Sequence, residues 1–123
     1  MPQSELQLLT EAASGLEYPS ESDAPFDVFA WEAKPGAKAE QLVSARAKHG
    51  ETIEQISLDE FFTPLNDTDD SNRFRHLRQT LASQLPNVKI FRVNHGGIEV
   101  HFYLVGQTHS GDWIGLHAVA VET

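Results

Sequence analysis

Apolar positions recur along the chain in two rhythms. Residues 3–14 carry Leu6, Leu9 and Ala13 at helical spacing. Gly15 follows as the C-cap, with Leu16 placed for the hydrophobic contact that accompanies a glycine-terminated helix. YPSESDAP, residues 18–25, is bounded by two prolines and reads as a polar loop. PFDVFAWE, residues 25–32, is dense in aromatic and β-branched residues and predicts a buried strand. KPGAK is a turn, and residues 39–48 suit a helix with Leu42 and Val43 inward, ended by His49 and Gly50.

Residues 52–57 predict a short strand. Ser57 and Glu60 have the spacing of a capping box for a helical turn through Phe61 and Phe62. NDTDDSN, residues 66–72, reads as an acidic loop. Asp70 or Ser71 then caps a helix with Phe74, Leu77, Leu81 and Leu85 inward, stopped by Pro86. Three strands follow, at residues 88–93, 98–105 and 113–121, joined by NHGG and QTHSGD turns. The last strand is apolar on both faces, Val119 and Val121 alternating with Ala118 and Ala120, as expected when helices cover both sides of a sheet. The order predicts an α+β fold: a three-layer α/β/α sandwich, mainly antiparallel, with helices on both faces.

At 123 residues the chain is expected to form one domain, residues 1–123. No apolar run approaches the ~20 residues of a membrane span. MPQSELQLLTEAASG has no basic segment and no long apolar core, which argues against a secretory signal. Cysteine is absent, which removes disulfide and thiol chemistry. Eighteen acids against nine bases give a net charge of −9. Such a surface repels nucleic acid and anionic membranes, and it steers basic protein partners inward.

The motifs weigh against an enzyme. There is no GxSxG, no GxGxxG and no P-loop lysine motif. Glu21 and Asp23 flank Ser22 and could form an acid/base pair, but nothing beside them resembles a substrate pocket. His101 and His117 fall on strands that pair. Zinc needs three or four converging ligands, and no HxH, HxxxH or HExxH occurs. NDTDDSN begins like an EF-hand loop, but Asn72 stands where glycine belongs and Arg78 where the bidentate Glu is required. No metal or cofactor of its own is expected. SES, residues 20–22, is either a solvated loop or a carboxylate held between Pro19 and Pro25 for binding.

GLEYPSESDAPFDVFAWE at residues 15–32, FYLVGQTHSG at residues 102–111 and the final VAVET together resemble the inhibitors of the sugar-non-specific nuclease A and their homologues. The likeness runs over the whole chain, with gaps near residues 35–55 and 63–72. It implies an α/β/α sandwich that is not an enzyme, binds a DNA/RNA non-specific ββα-metal endonuclease one to one and blocks its active site. It further implies that Glu21 and Thr123 enter the nuclease cleft, with Thr123 reaching the nuclease's catalytic magnesium directly or through water. An acid–tryptophan pair of the family falls at Asn66 and Asp67, where the tryptophan is missing, so a different nuclease or weaker binding is expected. Free, the protein is expected to be a monomer. The alternative is an acidic interaction module of the same fold with another basic partner.

Overall fold

The computed structural model describes residues 2–18, 24–31, 36, 38–45, 52–68, 70–85, 87–94, 99–108 and 111–121. Helix α1 (Pro2–Ala13) is followed by two short strands, β1 (Glu17–Tyr18) and β2 (Ala24–Pro25), which pair antiparallel. Strand β3 (Asp27–Trp31) leads to helix α2 (Ala39–Ser44) and strand β4 (Thr52–Ile56). Helix α3 (Leu58–Phe62) runs into a 3-10 turn (Thr63–Asp67), and helix α4 (Ser71–Gln84) precedes strands β5 (Lys89–Asn94), β6 (Glu99–Gln107) and β7 (Trp113–Val121). Five strands form one antiparallel sheet in the order β3-β7-β6-β5-β4.

The local chemistry explains the helix ends. The Ser57 hydroxyl accepts from the Glu60 amide at 3.0 Å, and Glu60 Oε1 accepts from the Ser57 amide at 3.3 Å. Two otherwise unpaired donors are thereby satisfied at the start of a helix too short to persist alone. Gly15 has φ +77°, a conformation glycine adopts without strain, and it turns the chain so that Leu16 is buried at 1% exposure.

Strand alternation divides the sheet's side chains between two faces. Val100, Phe102 and Leu104 of β6 join Leu116, Ala118 and Ala120 of β7, Leu9 of α1, Phe61 of α3 and Phe74, Leu77 and Leu81 of α4 in the larger core. On the opposite face, Phe91, Val93 and Val105 pack with Ala39 and Val43 of α2, flanked by half-buried Phe29, Trp31, Ile53, Tyr103 and Trp113. The fold is therefore α+β.

Three sequence expectations need correction. Residues 25–32 do not form a buried strand: β3 is an edge strand with Asp27 and Ala30 exposed, its aromatic residues only half covered. Helix α2 stops at Ser44 rather than at residue 48; residues 46–51 lie outside the described ones. The segment expected as an acidic loop from residue 66 instead opens inside the 3-10 turn. Pro64 fixes φ near its start, and Leu65, 1% exposed, anchors it in the core.

Candidate functional site

Of the four site residues expected from the sequence, Glu21 and Thr123 lie outside the described residues. Asn66 and Asp67 are described, adjacent and exposed, on the 3-10 turn.

Register shows which strand ends meet. Asp27 at the start of β3 pairs with His117 of β7, and Val121 at the end of β7 pairs with Glu99 at the start of β6. Asn94 closes β5 opposite Val100 and Thr52 opens β4 opposite Asn94. The end of β7 and the start of β6 therefore share one end of the sheet; β3 starts opposite the middle of β7, four residues short of Val121, and β1 and β2 both contact β7.

The two feet of segment 19–23 are gripped by aromatic packing. The Tyr18 ring lies 5.5 Å from Phe61 on α3 and 5.3 Å from Phe102 on β6. Phe26, which follows β2, meets Tyr18 edge-on at 6.4 Å and Phe74 on α4 at 6.1 Å. Such ring pairs each contribute ~0.5–1.5 kcal/mol beyond area burial. The sequence reading treated Tyr18 as loop, because two-residue strands carry no readable period.

The α4 N-terminus points to the same end. Its C-terminal Leu85 packs on Gly106 near the far end of β6, where an added Cβ would sit 2.9 Å from Leu85 Cβ. Arg73, in the first turn of α4, donates to the Ser14 carbonyl at the end of α1. Glu17, Asp27, Asp67, Asp70 and Glu99 are exposed acids carried by elements at this end. Arg78 of α4 is paired with Asp59 of α3.

The expected nearness of His101 and His117 is observed. His101 Nδ1 and His117 Nε2 are 2.7 Å apart, so one ring donates and the other accepts. Carboxylates flank the pair, Asp27 Oδ2 at 3.5 Å from His117 Nδ1 and Glu99 Oε2 at 3.8 Å from His101 Nε2. The sequence reading missed these acids. Glu99 was findable, since it stands two residues from His101 on one strand face. Asp27 was not, since nothing in the chain order places β3 beside β7. Among the described residues, no group of three or more histidines and carboxylates could hold a metal ion. No helix there is long and apolar enough to cross a membrane.

Fold and composition together define a small acidic α+β protein, with exposed acids Glu17, Asp27, Asp67, Asp70 and Glu99 among its described residues. Over residues 3–123 the chain matches the family described as nuclease A inhibitor-like protein, and it belongs to that family. A role in nuclease inhibition, with a nuclease as partner, follows at the level of the family. No individual curated protein matches the chain significantly.

Proposed function

We propose that this protein inhibits a non-specific, magnesium-dependent ββα-metal endonuclease by filling its active-site cleft, one inhibitor to one nuclease. The match to the inhibitor family over residues 3–123 carries the proposal. The contacts of β1, β2 and β3 with β7 support it, because the described neighbours of Glu21 and Thr123 belong to these elements.

The chemistry of the two partners is complementary. A nuclease cleft must bind phosphates and neutralise developing negative charge, so it is basic and holds a divalent cation. Glu21 stands in for a phosphate by pairing with an arginine or lysine of the cleft, a charge-assisted bond strengthened as water leaves. Thr123 offers a carboxylate, ionised at neutral pH, and a hydroxyl on the same residue, both hard oxygen donors suited to magnesium. Packing of Tyr18 and Phe26, on either side of residues 19–23, fixes the described neighbours of Glu21 and lowers the ordering cost of docking. Asn66 and Asp67 form an outlying contact, and the acidic surface speeds encounter.

One observation favours a nuclease other than that of the best-known relatives. Residues 63–70 contain no aromatic residue, and the neighbouring Phe61 and Phe62 are both 2% exposed, so this turn offers no aromatic anchor. In this reading the protein has no turnover of its own and acts in the cytoplasm, restraining a nuclease that would otherwise attack its host. Titration against a panel of magnesium-dependent ββα-metal nucleases, reading DNA cleavage, tests the proposal. Stoichiometric loss of cleavage with at least one panel member is expected. Unimpaired cleavage by all of them would favour an acidic interaction module with another basic partner.

A further inference from the structure

At the sheet end opposite Val121, a pocket of about 310 Å³ lies between the start of α2 and the sheet. Lys38, Ala39, Asn87, Lys89, Gln107 and Trp113 line it. Strand register explains the convergence. Lys89 opens β5 opposite Val105, and Gln107 ends β6 opposite Trp113, which opens β7. Alternation puts Lys89, Gln107 and Trp113 on the sheet face that α2 packs against. Lys38 enters from above, as the residue that caps α2.

The lining is chemically unusual for this chain. Eighteen carboxylates are available to neutralise nine bases. Among the described residues, no ion pair involves Lys38 or Lys89. Two lysines thus line one concavity with no carboxylate among its described lining residues, and their positive charge favours an anion there. Trp113 is half-buried and supplies an aromatic wall. Asn87 and Gln107 add amide groups that both donate and accept. The volume falls at the lower bound of small-ligand pockets, about 300 Å³.

We infer that this pocket binds a small organic anion that carries a flat ring, of the size and charge of a nucleoside monophosphate, with Lys38 and Lys89 on the anionic group and Trp113 against the ring. The site lies at the opposite end of the sheet from the nuclease-facing one, and the inference stands apart from the proposed function.

The test is a titration of the full chain with adenosine 5′-monophosphate at low salt, followed by the backbone amide and tryptophan indole resonances. Adenosine and inorganic phosphate serve as separate arms, and a Trp113→Phe spectrum identifies the Trp113 indole. Saturable shifts at the Trp113 indole and at the Lys38 and Lys89 amides are expected. Binding should weaken about tenfold for each lysine replaced by alanine, as for loss of a bond to a charged group. Both lysines are exposed, so Lys38→Ala and Lys89→Ala retain the fold. Adenosine alone and phosphate alone should each bind about tenfold more weakly than the nucleotide, or worse. Absence of saturable shifts, or unchanged binding in the double lysine variant, would overturn the inference. Equal binding of adenosine would remove the anion from it, and equal binding of phosphate would remove the ring; either result also overturns it.

Discussion

Replacing Tyr18 by alanine removes a packed neighbour of Glu21 without touching the carboxylate itself. The Tyr18 ring meets Phe26, Phe61 and Phe102 at 6.4, 5.5 and 5.3 Å. A fully buried aromatic truncated to alanine costs about 3–5 kcal/mol. Tyr18 is only half-buried, so about 2–4 kcal/mol is expected. Most small domains retain a folded majority after such a loss, because their total stability is about 5–15 kcal/mol. The functional effect has a second origin. With its ring gone, residue 18 loses the packing that fixes it, and ordering that one residue again when Glu21 docks costs ~1–2 kcal/mol. Inhibition should weaken roughly 5- to 30-fold beyond any loss of folded protein. Urea unfolding gives the stability change, and titration of DNA cleavage by the partner nuclease gives the inhibition constant at a temperature where circular dichroism shows both proteins folded. An unchanged inhibition constant in a destabilised but folded Tyr18→Ala protein would refute the claim that these rings position the described neighbours of Glu21 for docking.

Other expectations rest on separate features. Gly115→Ala places a Cβ 2.0 Å from the Leu104 carbonyl oxygen of the adjacent strand and 2.8 Å from Phe29 Cζ. It should cost about 3 kcal/mol or more, read as a lower urea midpoint or as loss of soluble protein. Ser57→Ala removes one arm of the capping box and should cost about 1 kcal/mol, lowering the midpoint with no change in m-value. Glu21→Ala should weaken inhibition by about 2–5 kcal/mol through faster dissociation, while leaving the urea midpoint in place. Joint replacement of Asn66 and Asp67 by alanine should slow association a few-fold and flatten its salt dependence, since both are exposed.

Long, regular elements were legible in the chain because their burial follows one period. Phe74, Leu77 and Leu81 recur at helical spacing and are all at most 2% exposed on α4. The β5-β6-β7 meander follows from three alternating runs joined by short turns. The edge placement of β3 was not legible. Its aromatic density reflects partial cover on an edge strand, and Phe29 stacked on Trp31 at 4.0 Å looks in sequence like core. Neither were β1 and β2, two residues each, whose pairing depends on Tyr18 and Phe26 finding distant rings. The meeting of β3 with β7 could not be read from the residues, since it joins positions about ninety apart in the chain (Asp27 with His117).

The central claim is that Glu21 and Thr123 occupy the nuclease cleft in place of the DNA backbone. The most direct measurement compares inhibition of one sensitive nuclease by the native protein and by the same protein with Gly-Ser appended to Thr123. The extension displaces the terminal carboxylate and bars entry to a confined metal site, so the inhibition constant should rise about a hundredfold or more, as for loss of a buried charged contact. The urea midpoint should not move. Equal inhibition by the extended protein would contradict the account.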